Sequence, residues 1–217
     1  MKAAVMMAGI VLAVASTTPA TGQTVADTSL QKLVLSTGYQ ANIARLFSSL
    51  PSDVFQRCPT LVSKGSTVTI LKQPTFAADG YPTSGTWKQS FPVSGCGNDT
   101  IINFFFFAQP DEKITSLIGA PGDTHADPIL QRDAMRDVMM AAKTQAPGCS
   151  APHLRTTRFE GRPGAQAGGA TARTAPSGWA ETWTVSACGR LLTIPVTFIP
   201  DATGTRVFTE IRPKSGR

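Results

Sequence analysis

Trp87-Lys-Gln-Ser-Phe-Pro-Val-Ser-Gly-Cys96-Gly97 and Trp179-Ala-Glu-Thr-Trp-Thr-Val-Ser-Ala-Cys188-Gly189 are two versions of one pattern, 92 residues apart. Trp, Val, Ser, Cys and Gly coincide, and Gln/Glu, Ser/Thr, Phe/Trp and Gly/Ala are near matches. A repeat at this period sets architecture ahead of any other signal. Each copy has one cysteine upstream, Cys58 or Cys149, at separations of 38 and 39 residues. Both downstream cysteines, Cys96 and Cys188, are followed by Gly and then an apolar run, Ile101 to Phe107 in the first copy and Leu191 to Ile199 in the second. The same offset lays Ile43, Leu46, Phe47 and Leu50 on Met135, Val138, Met139 and Ala142. These matches predict an internal duplication.

The expected fold is α+β. Two tandem α-β-β-β-β modules, residues 35–126 and 127–217, each place a helix on an antiparallel meander and carry one disulfide. In the second module Asp127 is a suitable N-cap and Pro128 a suitable first helical residue. Leu130, Ala134, Val138 and Ala142 recur at helical spacing, and Pro147-Gly148 should end the helix. The first helix is expected over Thr37 to Leu50. Strands are expected over Leu61–Leu71, Thr86–Ser94, Thr100–Ala108 and Lys113–Ile118, with Pro74–Gly85 rich in turns. The second set is Leu154–Phe159, Trp179–Cys188, Leu191–Ile199 and Thr205–Ile211. Gly97 and Gly189 should open tight turns.

Strand alternation puts Trp87, Phe91 and Val93 on one face, and Trp179, Trp183 and Val185 likewise. Continued through the cysteines, it puts Cys96 and Cys188 on the other face, the side a helix should cover. The aromatic rows are then expected to face away from their own helices and pack between modules, burying Trp87 and Trp179. Phe104 to Phe107 makes its strand apolar on both faces, a pattern of strands buried on both sides.

Met1-Lys2 followed by apolar Ala3 to Val14 and two small-residue cleavage patterns, Ala13-Val14-Ala15 and Thr18-Pro19-Ala20, reads as a secretory signal over 1–20. Residues 21–34 then form a leader. No stretch reaches the roughly 20 apolar residues of a transmembrane helix. Export to the periplasm or the extracellular space permits disulfides, and the duplication favours Cys58–Cys96 and Cys149–Cys188 among three possible connectivities.

No motif supplies a reaction. Asp123, His125 and Asp127 form a D-x-H-x-D cluster, but Asp127 serves the helix cap, so no metal site is assigned. Ser29-Leu30-Gln31-Lys32 matches S-x-x-K without its companion elements, and Ser94-Gly95-Cys96-Gly97 departs from the G-x-S-x-G pattern of a nucleophile elbow. No cofactor is implied. Asn98-Asp99-Thr100 is a glycosylation sequon that also suits a turn.

Charge is uneven. Residues 21–149 hold ten Lys/Arg and ten Asp/Glu, whereas 150–217 hold nine Lys/Arg and four Asp/Glu. Arg155, Arg158, Arg162 and Arg173 flank a Gly/Ala tract, and arginines so placed can engage carboxylate or phosphate. The expected function is a non-catalytic binding or structural protein, exported and soluble, meeting an anionic envelope component or an acidic protein. Nucleic acid is not expected in that compartment. The alternative is a hydrolase or enzyme inhibitor, with its site between modules or on the 158–177 loop. Oligomeric state is not fixed by the sequence.

Overall fold

The computed structural model describes residues 12–13, 24–50, 61–95, 98–111, 113–162, 178–202 and 204–209. The chain divides into two compact units, residues 1–119 and 120–217. The content is mixed α and β, mostly antiparallel sheet.

The first unit carries helices α1 (Thr24–Leu35) and α2 (Thr37–Ser48). Ser36 separates them and caps α2 from an extended backbone, its hydroxyl accepting from the Tyr39 amide at 3.4 Å. The helix α1 falls in the segment expected as a leader, and its Leu30 and Val34 are buried. The sheet comprises β1 (Leu12–Ala13), β2 (Val62–Ser63), β3 (Ser66–Phe76), β4 (Pro82–Gly95), β5 (Asn98–Ala108) and β6 (Ile114–Ile118). Strands β3 to β6 pair antiparallel in chain order, β1 lies parallel to β3, and β2 pairs with β4. Of the segment Pro74–Gly85, expected as turn-rich, residues 74–76 and 82–85 are strand. Pro74 sits within β3 because register shifts on both sides of Lys72 and around Thr75 release it from the regular ladder. Gly85, with φ of 119°, has no β-carbon to collide with Pro74.

The second unit starts with α3 (Pro128–Gln145), followed by β7 (His153–Gly161), β8 (Trp179–Ala187), β9 (Arg190–Asp201) and β10 (Gly204–Thr209). These strands also form an antiparallel meander in chain order. Asp127 caps α3 by accepting from the amides of Ile129 and Leu130 at 2.8 and 2.9 Å, and Pro128 opens the helix. The helix buries Ala134, Val138, Ala141 and Ala142, small residues that let it lie close on the sheet.

The aromatic rows face their own helices, contrary to the sequence expectation. Trp87, Phe91 and Val93 share a core with Tyr39, Ile43 and Leu46. Trp183 and Val185 share one with Ala134, Val138 and Ala141. The expectation fails because Cys188 is not in a strand. Ala187 pairs with Arg190, which leaves Cys188-Gly189 as a two-residue loop with φ of 51° and 82°. Positive φ at both positions is the geometry that matches hairpin twist, and the turn ends the alternation before the cysteine. Trp87 is fully buried, but Trp179 is only half-buried, stacked on Phe198 with centroids 4.7 Å apart; Trp183 holds the buried position instead. Phe104, Phe105 and Phe106 are all buried, so β5 is covered on both faces at these positions.

Cys149 and Cys188 form a disulfide that ties the β8–β9 turn to the segment following α3. Cys58 and Cys96 lie outside the described residues. Among the described residues, no helix is long and apolar enough to cross a membrane.

Candidate functional site

Each unit has a polar hub inside its core, and the two hubs occupy positions 92 residues apart. In the first unit the hub is Gln89, fully buried on the helix-facing side of β4. Tyr39 donates its hydroxyl proton to Gln89 Oε1 at 2.9 Å, and Gln89 Nε2 donates to Ser66 Oγ at 2.9 Å. Trp87 Nε1 donates to the Tyr39 hydroxyl at 3.0 Å. Burial pushes the Tyr39 phenol well above its ordinary value, and the hydrogen bond from Trp87 only partly offsets this.

In the second unit the hub is Glu181, 1% exposed. His125 N and Trp179 Nε1 each donate to Oε1 at 2.8 Å. Thr124 Oγ1 and Trp183 Nε1 each donate to Oε2 at 2.9 Å. Four donors fill the acceptor capacity of a carboxylate, and all four are neutral. Gln131 secures the same segment from α3, accepting from Ala120 N and donating to the Ala126 carbonyl, both at 2.8 Å. No buried side-chain nitrogen or oxygen among the described residues lacks a partner. Through Thr124 and His125, Glu181 ties the segment before α3 to β8, while Gln131 ties Ala120 and Ala126 to α3.

Gly122 shows how closely that segment approaches. A β-carbon there would collide with the backbone of Thr157, and the φ of 101° is one that side chains disfavour. Thr157 N donates to the Pro121 carbonyl at 2.7 Å and Asp123 N donates to the Thr157 carbonyl at 2.9 Å, so the segment adds a short bridge to the outer edge of β7. The His125 ring stacks on Phe159 at 3.9 Å and 9°. The D-x-H-x-D residues thus serve a cap, a ring stack and a backbone bridge. No group of three metal-ligating side chains occurs among the described residues.

The structure places two of the four candidate arginines on β7 and a third directly after it. Arg155 is half-buried at a register shift between Leu154 and Thr156. Arg158 is exposed and pairs in register with Thr182, on the face opposite the core. Arg162 is exposed just beyond the strand. Arg173 and most of the 158–177 loop lie outside the described residues. Arg158 forms an ion pair with Glu160 at 2.8 Å. The Thr182 hydroxyl, with Arg158 second, holds the Glu160 carboxyl below the usual range. The pair is solvated, and such pairs contribute about 0–1 kcal/mol, little enough for an incoming anion to displace. Ser29 and Lys32 of the S-x-x-K pattern lie on α1 beside buried Leu30, as part of the helix that packs on the first sheet.

Sequence reasoning missed both hubs, although the signal for one was present. Trp179, Glu181, Trp183 and Val185 form a single period-two row, so a carboxylate had to sit among core residues and required donors. No protein-family profile matches the chain, and neither a curated protein nor a solved structure is significantly similar to it.

Proposed function

We propose that this is an exported, non-catalytic binding protein whose second unit meets an anionic partner through the β7 edge. The observation that carries the reading is the run of Arg155 and Arg158 on one edge strand and Arg162 directly after it, the last two exposed. Arg173 extends the run in sequence. Guanidinium groups along a sheet edge suit repeated carboxylate or phosphate groups, such as those of an anionic lipid surface, an envelope polymer or an acidic protein. The excess of cations over anions in residues 150–217 draws such partners to this unit.

The finer architecture belongs to the same proposal. The chain is a pseudo-symmetric duplication of a helix-and-meander module, with a second disulfide between Cys58 and Cys96 and a secretory signal over residues 1–20. Two features support the duplication. The strand order repeats, β3 to β6 and β7 to β10. The polar hubs Gln89 and Glu181 also fall at the offset that aligns Trp87 with Trp179.

The test compares the full chain with a variant carrying Glu at positions 155, 158, 162 and 173. Both are presented to phosphatidylglycerol vesicles, to immobilised polyglutamate and to native envelope extract. Capture by the unaltered chain alone, weakening as salt rises, is the expected result. Equal behaviour of the two proteins on all three supports removes the β7 edge from consideration.

A further inference from the structure

Four sheet edges end the two meanders, and three of them carry the devices by which proteins block strand addition. The β3 side has Lys72, Pro74 and three register shifts. The β7 side has two register shifts, Arg158 and the bridge from residues 121–123. The β10 strand carries exposed Arg206, ion-paired to Asp201 at 2.6 Å. The β6 edge has none of these. Its sequence, Ile114-Thr115-Ser116-Leu117-Ile118, holds no charge, proline or glycine, and it pairs with β5 in unbroken register. Leu117 and Ile118 are 52% and 41% exposed.

The hydrogen-bond phase says what this edge can accept. Gly119 N donates to the Asn103 carbonyl at 2.8 Å and Gln109 N donates to the Lys113 carbonyl at 3.0 Å. Antiparallel pairs alternate between bonded and non-bonded, so Leu117 and Thr115 face β5 with their backbone groups. The N–H and C=O groups of Ile114, Ser116 and Ile118 therefore point outward, and no described residue bonds to them. These three positions are symmetric about Ser116. An antiparallel second β6 sets Ser116 against its own copy and Ile114 against Ile118, in both directions. Every outward group then finds a partner and no like charges meet. Leu117 comes to lie opposite Thr115 of the copy, on the face of β6 that its cross-strand partner Phe105 shares.

We propose that two copies of this chain join through β6, fusing their first sheets into one continuous sheet across a two-fold axis. Self-complementarity favours a second copy over a foreign strand, because an isologous contact is the commonest closed assembly. Five residues of edge cover less than the roughly 1,200 Å² of a stable interface, so association is expected at micromolar concentration or above.

Sedimentation velocity of the full chain from about 1 to 500 μM tests this, a range chosen around that expected affinity. Leu117→Lys puts a charge at an exposed position, and Ser116→Pro removes an outward N–H without touching the β5 ladder. A shift toward twice the mass of 22.9 kDa is expected for the unaltered chain, with at least a tenfold weaker association in each variant. Hydrogen exchange on the unaltered chain provides a readout independent of variant folding. The amides of Ile114, Ser116 and Ile118 should gain protection as concentration rises. A monomer throughout, open-ended aggregation, or dimerisation that leaves those three amides unprotected overturns the proposal.

Discussion

Trp183 donates its indole N–H to the carboxylate of Glu181, two residues earlier on the same strand and the same inward face, at 2.9 Å. Trp179, two residues before Glu181, donates to the other oxygen at 2.8 Å. Three consecutive inward positions thus form one hydrogen-bonded row, and the carboxylate is indispensable to it because both neighbours are donors only.

Glu181→Gln keeps the shape and loses the match. One amide oxygen replaces two carboxylate oxygens, so two of the four donors face an NH2 group. Leaving buried donors unpaired costs about 1–3 kcal/mol each. The expected outcome is a loss of about 2–6 kcal/mol in urea unfolding of the second unit, by the same principle. A change under about 0.5 kcal/mol would contradict the hub role.

Tyr39 gives the first unit a dependence on alkaline pH. Its phenol is raised in the folded chain by burial, so the folded state holds its proton to higher pH than the unfolded state does. The stabilisation is fully present below the unfolded value of about 10 and drains away as pH rises from there through the folded value. The slope is at most about 1.4 kcal/mol per pH unit. Denaturant midpoints measured between pH 8 and 11 should fall above pH 10 for the native chain. Tyr39→Phe should be less stable at neutral pH, since Trp87 Nε1 and Gln89 Oε1 lose their partner, but should show a shallower alkaline decline.

Replacing Cys149 and Cys188 together by serine opens a loop of sequence separation 39. Chain entropy assigns that closure about 4 kcal/mol. Cys188 also holds a left-handed conformation that a β-carbon disfavours by about 1–2 kcal/mol. A second substitution of residue 188, by Gly beside Cys149→Ser, should therefore recover part of the loss. Thermal melts of the two double variants provide the comparison.

Under the proposed anion-binding role, Glu160 competes for Arg158. Glu160→Gln removes the intramolecular carboxylate and should raise affinity for anionic vesicles about two- to fivefold, the scale of a solvated ion pair. Isothermal titration at low ionic strength measures it, and weakened binding would exclude Arg158 from the contact.

The strands and α3 were legible because period-two and period-3.6 patterns report burial directly. Asp127 and Pro128 even marked the first residue of α3. The facing of the aromatic rows was not legible, because it was inferred by counting alternation into a cysteine that stands in the turn. Pro74 and Gly85 read as turn residues, and only their close approach in three dimensions shows a bulged strand. The arginines were visible as a composition bias, while the register shifts on either side of Arg158, after Leu154 and after Phe159, have no local sequence signal.

The chain-order pairing of both meanders carries a consequence in time. Strands β3 to β6 lie within residues 1–119, so a chain emerging from its N-terminus has the whole first sheet available before the second unit exists. Neighbour-to-neighbour pairing closes short loops and needs no distant partner. Cys58 and Cys96 also precede Cys149 and Cys188 in the chain. Chain order thus exposes the two upstream thiols before either downstream one is made, and a circular permutant beginning between the units would reverse which pair is exposed first.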